Sequence, residues 1–115
     1  MDLETAAARA AEIRSLYAQL EQSRYGRAWS TTELALGFVG DVGDLAKLVA
    51  ASAGIRSFDG NVHEAVAHEL ADCLWSVLVL ADALDVDLNQ AFSDTMDALD
   101  IAVRAQVVQS VGPPD

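Results

Sequence analysis

Basic residues are scarce in this chain: one Lys and six Arg stand against eighteen acidic residues, for a formal net charge of −11. No basic stripe exists to track a phosphate backbone or an anionic bilayer, so neither nucleic acid nor membrane is an expected partner. Cys73 is the only cysteine, which excludes an internal disulfide and a thiolate zinc site and suits a reducing compartment. Proline occurs twice, side by side at Pro113-Pro114, and glycine seven times. With 52% hydrophobic residues, that composition excludes disorder and collagen-like repeats. Long apolar runs are missing as well. The longest, Cys73 to Ala81, has nine residues, where a membrane-spanning helix takes about 20. Met1-Asp2-Leu3-Glu4 is acidic and lacks the basic flank and apolar centre of a signal peptide, so a cytoplasmic protein is expected.

What remains is a chain of 115 residues, enough for a single domain over 1–115. Size scaling allows about two-thirds of the unfolded surface to be buried. The acidity is localised. Residues 31–100 hold thirteen acids against Lys47 and Arg56, while five acids and five arginines balance outside that window.

Periodicity and end signals predict an all-α fold of four main helices. The first spans about 3–22, after Asp2 as N-cap, with apolar repeats at Leu3, Ala6, Ala10, Ile13, Tyr17 and Leu20. The second starts at Ser30-Thr31-Thr32-Glu33, a capping-box pattern, and ends near Gly54. The third opens at Asn61 and runs to about Leu84; the fourth follows Asp87 and continues to about Ser110, stopped by Gly112-Pro113-Pro114. The third is apolar nearly all round from Leu70 to Ala81 and demands enclosure on most sides. One copy is too small to cover it, so the helical bundle is expected to be completed by homo-oligomerisation, as a homodimer or homotetramer.

Two acid pairs carry the chemistry. Asp41 and Asp44 share a face of the second helix, which also presents Leu34, Phe38, Leu45 and Leu48 at the spacing of a buried stripe. Glu69 and Asp72 repeat the pattern on the third. Acid pairs at helical spacing are commonly solvated. Here the apolar flanks and the shortage of basic partners point instead to a divalent cation, because an unpartnered buried carboxylate costs several kcal/mol. All-oxygen donors select hard ions, so Mg²⁺ is expected, with Mn²⁺ a substitute, and Mg²⁺ completes its shell with water and substrate phosphates. Gly37, Gly40 and Gly43 interrupt the same helix at a cost of about 1 kcal/mol each. Close approach of another helix explains them, as does room for metal and phosphate beside the two Asp.

Gly40-Asp41-Val42-Gly43-Asp44-Leu45-Ala46-Lys47-Leu48, followed by His68-Glu69-Leu70-Ala71-Asp72-Cys73-Leu74-Trp75, resembles the MazG-like all-α nucleoside triphosphate pyrophosphohydrolases, which include dCTP pyrophosphatases. The resemblance covers about residues 29–92. It implies that Asp41, Asp44, Glu69 and Asp72 ligate Mg²⁺, and that a (deoxy)nucleoside triphosphate is hydrolysed to the monophosphate and pyrophosphate in nucleotide-pool house-cleaning. One of these carboxylates is expected to be the base, without the sequence singling it out. Two departures stand out. Asp41 and Asp44 occupy positions where the family usually has Glu, and Asp94-Thr95-Met96-Asp97-Ala98-Leu99-Asp100 replaces a stretch that commonly supplies a Lys and an Asn to the phosphates. Lys47 and Arg104 are the candidate replacements, and Trp29 is a candidate base-stacking residue, each also explicable as surface charge or packing. Phosphoribosyl-ATP pyrophosphatase and a non-catalytic nucleotide-binding or interaction module remain alternatives. His63-Glu64-x-x-x-His68 has one residue too many for a zinc-protease helix, and neither histidine is expected to be catalytic.

Overall fold

Residues 1–111 are described by a computed structural model containing four helices: α1 (Leu3–Tyr25), α2 (Thr31–Ser52), α3 (Val62–Ala83) and α4 (Leu88–Val111). No strand occurs among the described residues. The expected helix stop at Gly112-Pro113-Pro114 lies outside them. No described helix is long and apolar enough to cross a membrane.

The helix starts follow their capping residues. Asp2 Oδ1 accepts from Thr5 N–H at 2.8 Å, and Asn61 Oδ1 accepts from Glu64 N–H at 3.1 Å. Ser30 closes a full capping box: its hydroxyl accepts from Glu33 N–H at 3.2 Å, and the Glu33 carboxylate accepts from Ser30 N–H at 3.1 Å. α1 runs past residue 22 to Tyr25, because Gly26 supplies the left-handed cap, at φ 77°, and donates its N–H to the Gln22 carbonyl.

Met1–Asp85 forms one compact unit, in which α3 packs against both α2 and α1. Its covered faces differ in part from expectation. On α1 the buried positions are Ala10 and Glu21, and Leu3, Ala6, Ala7, Ala11, Ile13, Arg14 and Ala18 are half-buried, whereas Tyr17 and Leu20 are exposed. Of the expected stripe, Leu3, Ala6, Ala10 and Ile13 are thus covered wholly or in part, and its last members, Tyr17 and Leu20, are exposed. Alanines permit close approach to α3, and the Arg14–Glu21 ion pair occupies the rest. On α2, Leu34, Phe38, Asp41, Leu45 and Leu48 are all half-buried, following the expected stripe. Within this unit α3 is covered only in part: Ser76, Leu78 and Val79 are buried, but Leu70 and Leu74 are 53% and 51% exposed.

Val86–Asp115 is the second unit, and its described structure is chiefly α4. Asp87 caps the helix by accepting from Gln90 N–H at 3.1 Å. No residue of α4 is buried, and Phe92, Met96, Leu99 and Val103 are exposed along it.

Candidate metal centre

Asp41 and Asp44 project from adjacent turns of α2, and Glu69 from α3, which packs on α2. One carboxylate oxygen from each of these three residues lies within 4.8 Å of the others. Asp41 and Glu69 are half-buried and Asp44 is exposed, so the group sits at the edge of the interhelical contact, open to water on one side. Full burial of the acid pairs is therefore not what the fold produces. The carboxyl of Glu69 is held above its ordinary range, chiefly by burial and then by the negative charges of Asp41, Asp72 and Asp44. A cation at this point would relieve that repulsion.

Asp72, the remaining member of the expected quartet, lies outside the converging three. Its Oδ2 is 3.2 Å from Nε2 of His68, one turn earlier on α3. Cys73 is half-buried beside the acids; burial first, and then the charges of Asp41, Glu69 and Asp72, push its thiol upward. A raised thiol pKa disfavours the thiolate that a nucleophile needs. Lys47 is exposed on α2. Arg104, on α4, is paired with Asp100 one turn earlier, Nε to Oδ1, at 2.8 Å.

The donor chemistry fits a hard divalent ion: three carboxylates and no nitrogen or sulfur in the converging set. A Cβ placed on Gly37, Gly40 or Gly43 would meet nothing within 4 Å, so close packing of another helix of this chain is not the reason for these glycines.

A cavity of about 540 Å³ adjoins the acidic group, with Asp41 belonging to both. α1 contributes Arg14, Tyr17, Glu21, Arg24 and Tyr25, the α1–α2 connection contributes Trp29, and α3 contributes Asp72 and Trp75. Trp29 is 47% exposed and forms part of this wall rather than core. Trp75 is half-buried, meets Tyr17 edge-on at a ring-centroid distance of 6.0 Å, and has no protein partner for its buried Nε1.

No family model, no curated protein and no solved structure matches this chain. Its site is therefore read from its own geometry.

Arg14, Glu21 and Arg24 are cavity residues that sequence reasoning passed over, because α1 was read for its apolar repeat alone. The available signal was an opposite-charge pair seven residues apart, which two helical turns bring to one face. Arg14 donates from Nη1 to Glu21 Oε2 at 3.0 Å and from Nη2 to Oε1 at 3.1 Å. This bidentate bond is the first cause holding the Glu21 carboxyl below its ordinary range, against the opposing effect of burial.

Proposed function

We propose that this protein is a Mg²⁺-dependent pyrophosphohydrolase of (deoxy)nucleoside triphosphates, of the MazG-like all-α kind, acting on the nucleotide pool of a reducing cytoplasm as a homodimer or homotetramer. The observation that carries the reading is the convergence of Asp41, Asp44 and Glu69 from two packed helices. Beside it lies an aromatic-lined cavity large enough for a nucleobase.

Asp41, Asp44 and Glu69 would hold the ion, with Asp72 available at the rim. Bound Mg²⁺ supplies charge neutralisation of the triphosphate and acidification of water. The chain supplies orientation. Trp29 and Tyr17 offer flat apolar surface to a base, while Arg24 brings positive charge to a wall otherwise polarised by Asp41 and Asp72, the charges of Arg14 and Glu21 being spent on each other. A carboxylate not fully engaged with the ion can accept the proton of the attacking water, and the 3.2 Å contact with His68 holds the Asp72 carboxylate in place beside it.

The test is release of pyrophosphate from a panel of ribo- and deoxyribonucleoside triphosphates and phosphoribosyl-ATP, with Mg²⁺ or Mn²⁺. The parent is expected to turn over a subset of the panel. Glu69→Gln is expected to lower kcat/KM at least about 100-fold, the loss typical when a group acting at the transition state is removed. Preferential turnover of phosphoribosyl-ATP would assign that substrate instead. Metal-dependent nucleotide binding without pyrophosphate would leave a binding module and overturn the catalytic reading.

Metal binding has its own measurement. Mg²⁺ at about 100 times its dissociation constant should stabilise the folded chain by about 2.7 kcal/mol, a rise in Tm of about 10 °C. Asp41→Asn should diminish that rise while leaving helical content intact, as seen by circular dichroism. An unchanged rise would remove Asp41 from the site.

A further inference from the structure

Trp29 lines the cavity with its side chain in part exposed, yet its backbone lies in the short connection between α1 and α2, where no helix supplies partners for it. Both backbone polar groups are nevertheless held. Trp29 N–H donates to Glu21 Oε1 at 2.7 Å, and the Trp29 carbonyl accepts from Arg14 Nη2 at 3.2 Å. The two side chains that grip it are the bidentate ion pair of α1, 14% and 11% exposed. The following residue, Ser30, is fixed in turn by the capping box of α2, and Arg27 donates to Glu33 from both terminal guanidinium nitrogens, at 2.6 and 3.0 Å.

We propose that the Arg14–Glu21 pair is a positioning device for Trp29, presetting its indole as a rigid wall of the cavity against which a flat heteroaromatic base packs. The base-binding half of this proposal rests on the nucleotide reading above; the immobilisation of Trp29 does not. A connection that needed only to be tied down could be held by apolar packing. Instead, an ion pair lining the cavity itself grips the backbone of the one aromatic residue in the connection. Preorganisation of this kind increases affinity, because the wall loses no further freedom when the ligand arrives. It acts on ground-state and transition-state binding alike and leaves the chemical step untouched.

Arg14→Lys and Glu21→Gln test it. Lys keeps a positive charge opposite Glu21 but lacks the fork that serves both the carboxylate and the Trp29 carbonyl. Gln keeps the length of Glu21 and an acceptor for Trp29 N–H but gives Arg14 no carboxylate. In a Trp75→Phe background Trp29 is the sole indole, and the anisotropy decay of its fluorescence reports its mobility directly. The amplitude of fast local anisotropy decay is expected to increase about twofold in each variant, and with Trp75 restored the dissociation constants and KM for Mg-dCTP and Mg-ATP to rise about fivefold, kcat changing less than about twofold.

An unchanged anisotropy decay in both variants would overturn the proposal whatever the nucleotides do. Should Glu21→Gln fail to fold, Arg14→Lys decides it, since that variant keeps the charge pair. A loosened Trp29 with unaltered nucleotide affinity would overturn its role as the wall for a base. A loosened Trp29 in a protein whose parent binds neither nucleotide would support the positioning device and sink the nucleotide reading, so the two failures are told apart.

Discussion

Glu21 is an acid on the covered side of a helix, and its energetics follow from its partners. Arg14 first, and then the Trp29 N–H, hold its carboxyl below the ordinary 4.5, while burial pushes the other way. At the exposed end of the same connection Glu33 is lowered to about 2, chiefly by Arg27, with the Ser30 N–H assisting. Both folded values lie under the unfolded ones, so the unfolded chain binds protons more readily than the folded chain as acid is added. The contribution of these groups is complete above the unfolded value and is lost as pH falls through the folded values. The urea midpoint is therefore expected to decline between about pH 4.5 and about pH 2. Glu21→Gln should shrink that decline, and a decline of equal size in the variant would show that Glu21 is not linked to it. These partnerships were opaque in the sequence for a physical reason: Trp29 meets Arg14 and Glu21 only because the chain turns after Gly26. Asp41, Asp44 and Glu69 were legible because each pair repeats at helical spacing and the two helices are sequential neighbours. The 3.2 Å approach of His68 to Asp72 was not anticipated, although the i,i+4 spacing allows it.

At the scale of the element, the four helices were readable because their starts are chemical statements. Asp2, Ser30, Asn61 and Asp87 each place a side-chain oxygen on an otherwise orphaned N–H. The end of α1 was misjudged because the apolar repeat fades before Gly26, which supplies the actual stop. The glycines of α2 are the opposite case: their number was evident, but their surroundings were not. Gly37 stands in a helix and its missing Cβ would meet nothing within 4 Å, so an added methyl should cost no clash. Relative to Ala, helical Gly loses more backbone entropy on folding. Gly37→Ala is accordingly expected to stabilise the fold by about 0.5–1 kcal/mol, visible as a higher urea midpoint. A lower midpoint would reveal a second copy packed against this strip. Gly40 and Gly43, which flank Asp41 and lead into Asp44, are equally open, and the proposed function gives that open space to a metal-bound triphosphate.

At the scale of the whole molecule the apolar surface is the governing quantity. Ala10, Leu78 and Val79 are the buried apolar residues among those described, while Leu36 and Val39 on α2 are 66% and 67% exposed and Leu70 and Leu74 on α3 about half so. An apolar helix left this open is stable in water only if another surface covers it, and a second copy of the same chain is the partner proposed above. Leu70 and Leu74 lie one turn apart on α3, so a partner helix meets them as a single patch. Placing a charge there should oppose association without disturbing the residues that α3 buries within its own chain. Light scattering is expected to give the parent the mass of a dimer or tetramer, and Leu74→Glu a monomer that keeps its helical circular dichroism. An unpaired charge in an apolar contact costs about 3 kcal/mol, equivalent to association weakened about 100-fold. A parent that scatters as a monomer at about 100 times micromolar concentration would refute the assembly, since such a dimer would dissociate above the range of stable interfaces. The candidate metal site should survive the substitution, because Asp41, Asp44 and Glu69 come from α2 and α3 of one chain. A Leu74→Glu monomer that still gains Tm on adding Mg²⁺ would separate the two properties. Loss of that gain together with the assembly would instead mean that a neighbouring copy completes the site.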